Sequence, residues 1–504
     1  MSTRRLTRRS LLAASAGAMA GGLLRPRGAL AVLAGAPAPT LSERRLGQVG
    51  PAGATVELTR PADLVGVEWQ GAARAALWLR FRGRGARWSE WVSAGNSGHG
   101  PEGLPPAGRQ VGEPVWAGGT TAVQLRSART LGGVRLHLID VSAGIGAGTL
   151  ARIASPLTGA VLPLATPVLA AGPGQPPIIA RRAWAEGSSP PRVAPEYGAV
   201  KLAFVHHTEN PNGYAVGEVP AMLRAIYAFH RYVNGWNDIG YNFVIDLYGR
   251  IFEARAGGVD EPVIGAHAGG YNVVSSGIAV LGSFMSVAIS ASARSALEAL
   301  LAWKLSLHGA PSAGEVPVRV NPAGAAYSRY PANARVPLPR IAGHRDGDST
   351  DCPGSVLYGE LPAIRTGVRR LAPNPATATL ALAAPPGAPP GQATPPAAGG
   401  GEAPAPSAAG EGPTLAGHLG FLDGSPISGA PILLQARTVS RKGEVVNERT
   451  VAEASTNAEG EWSLAAGALA DAHAPTWLRA LCPGGAGYGA CVSAPLHVAA
   501  AGAQ

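Results

Sequence analysis

The sequence predicts a multidomain protein in which a central α/β domain lies between β-sandwich-like N-terminal and C-terminal domains. Short apolar runs alternate with helical apolar spacing across residues 173–372, which is typical of an α/β domain. Residues 37–172 and 414–504 instead carry short stretches in which apolar and polar residues alternate, the pattern of half-buried strands. Stretches rich in proline, alanine and glycine separate the three blocks.

The N-terminal block is predicted to be a β-rich accessory domain over residues 37–154, followed by a linker over 155–175. Glycine-rich turns separate its period-two stretches, and several short strands at this spacing indicate a sandwich. The predicted strands cover residues 76–82, 88–92, 122–126 and 134–139.

The central block, expected over residues 176–372, alternates strand and helix signals. The predicted strands cover residues 202–205, 277–284 and a pair within 242–254 around Tyr248 and Gly249. Apolar residues at helical spacing predict one helix over 219–233. A second helix is predicted over 292–308, with serine at its start and Gly309 after its end.

The C-terminal block, expected over residues 414–504, follows a predicted linker over 373–413 that is nearly free of large apolar residues. Its strand signals indicate a small β-sandwich similar to the carboxypeptidase-regulatory-like accessory modules of secreted proteins. The predicted strands cover residues 432–436, 449–452, 461–464 and 477–481.

The chain carries a formal net charge of +10, but this charge is unevenly placed. Residues 1–36 hold six arginines and no acidic residue, and Thr7–Leu12 resembles a twin-arginine export signal. The uncharged stretch at 11–24 is too short for a hydrocarbon core of ~30 Å, so it predicts a signal peptide over 1–36 and no membrane anchor. We therefore expect a secreted or cell-wall protein.

Composition excludes several classes of function. Hydrophobic residues make up 46% of the 504 residues, which excludes wholesale disorder. The sequence has no basic helix and no ladder of stacked aromatic residues, so no nucleic-acid partner is expected. The cluster Arg80, Arg82, Arg84 and Arg87 has two interpretations: a solvated strand face, or contact with an anionic cell-wall polymer.

The chain has three cysteines, and they suggest two roles. Cys482 and Cys491 bracket a glycine-rich loop in a compartment expected to be oxidising, which predicts a disulfide between them. Cys352 is left alone in the central block.

The central block also carries residue types that bind zinc. His206 and His207 directly follow a buried strand, and His344 is followed eight residues later by Cys352. A catalytic zinc site needs three protein ligands and an open position, and imidazole nitrogen and thiolate sulfur suit this metal. One histidine, a second histidine and a cysteine of this block therefore form a candidate zinc site.

Four ordered motifs give the central block a family resemblance. They cover residues 205–208, 235–243, 265–272 and 343–354. Together they resemble the peptidoglycan recognition protein and type-2 N-acetylmuramoyl-L-alanine amidase family over residues 176–370. The resemblance implies a mixed sheet flanked by helices, Zn²⁺ as cofactor and peptidoglycan as substrate. It also implies cleavage of the amide between N-acetylmuramic acid and L-alanine.

The resemblance also implies roles for individual residues. His206, His344 and Cys352 match the zinc ligands, and Tyr241 matches the catalytic tyrosine. Thr350 is either a second catalytic residue or a cap of a turn. His267 and Asn272 match positions that line the substrate cleft. His207, expected to point the opposite way from His206 on its strand, is interpreted as a supporting or substrate-binding residue and not as a ligand. The acidic residues Asp346, Asp348 and Asp351 are interpreted as a solvated loop.

Two alternatives to an enzyme stay open from the sequence. The same cleft would serve a non-catalytic peptidoglycan-binding protein. A protein whose flanking β-domains act as adhesins would instead bind the wall through residues 37–172 or 414–504.

Overall fold

The structure is a computed structural model. It describes His99 and residues 38–71, 75–83, 85–95, 108–142, 174–371, 376–383, 414–439, 445–465, 476–485, 488–493 and 495–498. The predicted signal peptide (1–36) and nearly all of the predicted linker at 155–175 lie outside these residues. None of the described helices is long and apolar enough to cross a membrane.

The N-terminal strands form one antiparallel sheet in the order β1-β7-β2-β6-β3-β4, with β5 beside β2. They are β1 (Thr40–Val49), β2 (Ala54–Gln70), β3 (Leu77–Arg82), β4 (Val92–Ser93), β5 (Arg109–Val111), β6 (Val115–Ser127) and β7 (Leu131–Asp140). In β3 every second side chain is buried, which is the alternation that predicted it. Three of the predicted strands are therefore confirmed as parts of β3, β6 and β7.

The predicted strand at 88–92 is largely wrong, because only Val92 of these residues lies in a strand. The tryptophan rings of this segment instead make cation–π contacts with arginine side chains. The guanidinium carbon of Arg80 lies 4.7 Å from the ring centre of Trp91, and that of Arg82 lies 4.7 Å from Trp88. Arg82 also pairs with Glu57 at 2.5 Å.

The central domain is built on a mixed six-stranded sheet in the order β15-β9-β12-β10-β11-β8, in which only β10 and β11 pair antiparallel. Its strands are β8 (Ile178–Ile179), β9 (Leu202–His207), β10 (Phe243–Ile245), β11 (Ile251–Glu253), β12 (Ser275–Val280) and β15 (Ile341–Gly343). A separate pair is formed by β13 (Glu315–Arg319) and β14 (Arg335–Pro339). The helices are α1 (Arg181–Ala185), α2 (Val219–Ala228), α3 (Ala291–Leu307), α4 (His344–Gly347) and α5 (Ser355–Leu371).

Helix α3 begins one residue before its predicted start and ends at Leu307. Its N-cap is Ser290, whose hydroxyl accepts a hydrogen bond from the Ala293 backbone N–H at 3.0 Å. Buried leucines of α3 and α5 share an apolar cluster with β9 and β12. Helix α2 packs in a second cluster with Val244 and Ala279. The sheet is therefore buried on both faces, as expected for parallel strands.

The N-terminal sheet packs against α2. Leu64, Trp116 and Ile139 are buried in the same apolar cluster as Met222 and Leu223 of that helix. The Trp116 backbone N–H donates to Asn210 Oδ1 at 2.6 Å. Arg109 donates through Nη2 to the Val233 carbonyl at 2.9 Å. These contacts fix one end of the N-terminal sheet beside the central domain.

The C-terminal strands form two sheets, which cover all four predicted strands. They are β16 (Ala376–Ala378), β17 (Ala381–Ala383), β18 (Thr414–Phe421), β19 (Pro431–Val439), β20 (Val445–Ser455), β21 (Glu461–Ala465), β22 (Thr476–Cys482), β23 (Cys491–Val492) and β24 (Leu496–Val498). One sheet has the order β16-β18-β17 with β21 beside β18. The other has the order β20-β19-β22-β23 with β24 beside β22.

The predicted linker at 373–413 is wrong at residues 376–383, which form β16 and β17. Both strands pair antiparallel with β18, so that Ala376 lies opposite Phe421 and Ala381 opposite Ala416. Backbone pairing needs no large side chain, and the small Ala376 side chain is fully buried. The remainder of the predicted linker lies outside the described residues.

Cys482 and Cys491, between which the sequence predicts a disulfide, are both free, buried thiols in the structure. The register of β22 and β23 sets the two residues directly opposite each other. A hydrogen bond from Cys491 lowers the pKa of Cys482 to about 7. Residues directly opposite each other on antiparallel strands have Cα separations that a disulfide can span. The strand geometry therefore allows a disulfide, and the oxidation state decides whether the two thiols form one.

Candidate metal centre

The central sheet places two histidines at the carboxyl ends of neighbouring strands. Strands β9 and β15 are parallel neighbours, with Val205 opposite Gly343. The next residues, His206 and His344, therefore leave the same end of the two strands, where α/β sheets bind their ligands. A Cβ atom at position 343 would lie 2.7 Å from the Tyr358 ring, so glycine is required where the chain turns into α4.

Cys352 completes the set of ligands that the sequence predicted. It lies on the loop between α4 and α5, and its carbonyl accepts a hydrogen bond from the Arg345 backbone N–H at 3.0 Å. Its Sγ is 3.7 Å from His206 Nδ1, and it accepts a hydrogen bond from the His207 backbone N–H at 3.4 Å. The structure thus brings together all three predicted zinc ligands.

A fourth candidate ligand atom comes from the N-terminal domain. His99, which the sequence did not single out, lies with its Nε2 3.1 Å from His206 Nδ1. Its ring also stacks on the His344 ring, with 4.5 Å between centres and an interplanar angle of 5°. Within the described part of the chain, His99, His206, His344 and Cys352 form a buried group whose ligand atoms all lie within 4.8 Å of one another.

Each histidine of this group has a partner for its second ring nitrogen. His99 Nδ1 is 2.7 Å from Glu113 Oε1, and His344 Nε2 is 2.9 Å from Asp348 Oδ2. His206 Nε2 is 3.2 Å from His267 Nδ1. Metal-bound histidines in proteins are held in this manner, because the outer partner fixes the tautomer and the ring orientation.

Two separations between these atoms can be compared with those around a tetrahedral zinc ion. Bonds of about 2.0–2.1 Å to nitrogen and about 2.3 Å to sulfur set neighbouring ligand atoms about 3.3–3.7 Å apart. The separations of 3.1 Å and 3.7 Å around His206 Nδ1 are close to this range. His344 Nδ1 is buried and has no hydrogen-bond partner among the described residues, and a metal ion would satisfy it.

Protonation also favours a cation at this position. Burial and the neighbouring imidazoles hold the pKa of His206 and of His344 well below the usual value, so both rings are neutral and able to ligate. Burial raises the pKa of the Cys352 thiol well above its usual range. A bound cation reverses that effect, because it stabilises the thiolate.

Comparisons with known proteins match the central domain. A family described as N-acetylmuramoyl-L-alanine amidase matches residues 196–355. Peptidoglycan-recognition protein SC2 of Drosophila simulans is 30% identical over 162 residues, which cover 32% of this chain and 72% of that protein. The chain belongs to the peptidoglycan recognition protein and N-acetylmuramoyl-L-alanine amidase family.

Other known proteins also match parts of the chain. An N-acetylmuramoyl-L-alanine amidase of Sus scrofa is 29% identical over 194 residues, which cover 37% of this chain and 27% of that protein. The solved structure of wild-type Drosophila PGRP-LB is 26% identical and covers 37% of this chain and 92% of its own, with a TM-score of 0.29. Residues 29–151 match a second family, described as Rv3811 N-terminal galactose-binding domain-like.

In this family member Tyr241 lies beside the metal centre. Its ring centre is 5.5 Å from that of His206 and 5.3 Å from that of His99. The side chain is 1% exposed. Burial, together with the carboxylate of Glu113, raises the pKa of Tyr241 well above its usual value, so its hydroxyl keeps its proton and remains a donor.

Thr350 and His207 line a cavity between the N-terminal and central domains. The cavity has a volume of about 310 Å³ and also contacts Trp78, Glu113 and Cys352. The Thr350 hydroxyl accepts a hydrogen bond from the Cys352 backbone N–H at 3.2 Å, which caps the turn that holds this ligand. His207 Nε2 pairs with Glu209 at 3.0 Å.

The predicted cleft residues His267 and Asn272 do not face an open cleft in the structure. His267 is fully buried behind His206, and burial lowers its pKa to about 3. A Cβ at Gly277 would lie 2.3 Å from its ring, so glycine makes room for it. Asn272 Oδ1 accepts hydrogen bonds from the His267 and Ala268 backbone N–H groups at 2.8 Å and 3.1 Å. His267 therefore contacts the predicted ligand His206 from behind, and Asn272 holds the backbone of His267.

The interpretation of Asp346, Asp348 and Asp351 as a solvated loop is wrong for two of the three. Asp348 is 1% exposed and holds His344. Asp346 accepts hydrogen bonds from the Gly343 backbone N–H at 2.8 Å and from the Tyr358 hydroxyl at 2.5 Å. The i,i+4 spacing of His344 and Asp348 on a helical turn was the sequence signal for this pair.

Proposed function

We propose that this protein is a zinc-dependent amidase that hydrolyses the bond between N-acetylmuramic acid and L-alanine in peptidoglycan. One observation carries the proposal: the ligand atoms of His206, His344 and Cys352 converge beside Tyr241. Zinc-binding groups with a hydrogen-bond donor next to them suit acyl transfer. Membership of the amidase family supports the same reaction and the same polymer.

The reaction needs a nucleophilic water and stabilisation of a developing negative charge. The water oxygen adds to the carbonyl carbon of the lactyl group, and the carbon–nitrogen bond then breaks. This leaves a carboxylate on the lactyl group and a free amine on L-alanine. Zinc held by His206, His344 and Cys352 would supply the Lewis acidity that activates water at neutral pH.

The chain's own residues would contribute the remaining steps. The protonated Tyr241 hydroxyl would donate a hydrogen bond to the carbonyl oxygen as negative charge develops on it. Glu209 and Thr350 line the adjoining cavity and would contact the substrate there. We further propose that the chain is exported, which sets it in the compartment that holds its substrate.

One observation favours the alternative of a peptidoglycan-binding protein without catalysis. His206 and His344 are fully buried, and Cys352 is only 4% exposed. His99 covers the two histidines on the side of the N-terminal domain. The test of function must therefore include a protein in which His99 has been removed.

The experiment measures soluble stem peptides released from purified peptidoglycan. We expect the zinc-loaded His99→Ala protein to release them, a chelator to stop the release, and zinc, but not magnesium, to restore it. The full-length parent protein is assayed alongside. If neither zinc-loaded protein releases stem peptides while both sediment with peptidoglycan, the amidase proposal fails and the binding protein is supported.

A further inference from the structure

His99 occupies the place where an enzyme of this kind must keep a free coordination position. Structural zinc sites have four protein ligands, whereas catalytic sites have three and an open position for water or substrate. Here the three ligands of the central domain are joined by an imidazole nitrogen 3.1 Å from His206 Nδ1. The complete set, three nitrogens and one sulfur, is that of a closed tetrahedral site.

The His99 ring also covers the residue proposed to assist catalysis. It lies edge-on to the Tyr241 ring at 5.3 Å and stacks on His344. The His99 ring therefore contacts both a proposed zinc ligand and the proposed catalytic tyrosine. His99 itself is only 4% exposed. In this arrangement His206 and His344 are fully buried, and His99 covers them on the side of the N-terminal domain.

The position of His99 is held by neighbours built for it. The carboxylate of Glu113, itself 5% exposed, lies 2.7 Å from His99 Nδ1 and orients Nε2 towards the other ligand atoms. Close to Glu113 in sequence, Trp116 and Arg109 hydrogen-bond to Asn210 and Val233 of the central domain. The same part of the N-terminal domain therefore docks on the central domain and positions His99.

We propose that His99 is a fourth zinc ligand supplied by the N-terminal domain, and that it keeps the site closed until that domain withdraws. In the closed form the lone pair of His99 Nε2 fills the fourth position. On opening, His99 would leave as a neutral imidazole and would free this position for water. The ligand assignment stands on the geometry, and its consequence for activity rests on the proposed function.

The test counts ligands by X-ray absorption spectroscopy of the zinc-loaded full-length protein. We expect the zinc of the parent to have three imidazole ligands and one sulfur ligand. In His99→Ala we expect two imidazole ligands, one sulfur ligand and one oxygen ligand. His99→Gln serves as a second variant if alanine disturbs folding. The matched control His418→Ala removes a histidine of β18 and should leave the parent spectrum unchanged. A parent spectrum with two imidazoles, or identical spectra for the parent and both His99 variants, would overturn the proposal.

Activity supplies an independent readout. Removing His99 should raise the rate of stem-peptide release by about tenfold or more, because the closed form no longer competes with the open one. A parent spectrum with three imidazoles and no release by any variant would leave the ligand assignment intact and refute the amidase. Release by the parent at the rate of His99→Ala would refute closure, whichever spectrum is found.

Discussion

Replacing Cys352 with alanine in the His99→Ala protein should abolish stem-peptide release. Cys352 is the proposed sulfur ligand and lies with its Sγ 3.7 Å from His206 Nδ1, so the variant leaves only two of the proposed ligands in the central domain. Loss of a single oxyanion donor already costs about 10²–10³-fold in enzymes, and loss of the metal should exceed that. The measurements are zinc content and the rate of peptide release.

The control for Cys352→Ala is Cys482→Ala in the same background. Both cysteines are buried, but Cys482 lies in β22 opposite Cys491, so its loss removes a thiol without touching the metal centre. The control should keep its zinc and its activity. Equal zinc content and equal cleavage in the Cys352→Ala protein would show that this residue is not a ligand.

The second large effect is expected at a buried cluster of charges between the C-terminal strands and the central domain. Arg437 donates to Glu261 at 2.8 Å and to Asp260 at 2.7 Å, and Arg479 contacts the same two carboxylates. Despite burial, the two arginines hold the pKa of Asp260 well below its usual value. The charged form of each group in this cluster is therefore stabilised by its oppositely charged partners.

Replacing Arg437 with methionine should lower the free energy of unfolding by about 3–5 kcal/mol, because it leaves buried carboxylates without one of their cations. The measurement is the midpoint of denaturant-induced unfolding and its slope. Arg82→Met is the matched control, since the Arg82–Glu57 pair is exposed and should contribute less than about 1 kcal/mol. Equal losses in the two variants would contradict the assigned role of the cluster.

The central domain was largely predictable from sequence because its signals are local. The apolar run before His206 and the spacing of α3 each depend on residues close in the chain. The four motifs likewise contained the three predicted ligands and Tyr241, which could be identified without any knowledge of packing. The pairing of parallel strands β9 and β15 then explains why distant motifs meet.

What could not be predicted depends on contacts between domains. His99 and His206 are 107 positions apart, and no pattern around His99 marks it as a ligand. Its proposed role follows only from the docking of the N-terminal sheet on α2. The buried places of His267 and Asn272 were also missed, because motif matching identifies a position near a site but not the direction of its side chain.

The chemical identity of the new ends tests the central claim most directly. Peptidoglycan is digested with the zinc-loaded His99→Ala protein in water labelled with heavy oxygen, and the products are analysed by mass spectrometry. The amidase predicts one heavy oxygen in the lactyl carboxylate and an unlabelled peptide that begins with a free L-alanine amine. Label in a peptide carboxylate or in a reducing sugar end, with the lactyl amide intact, would contradict it.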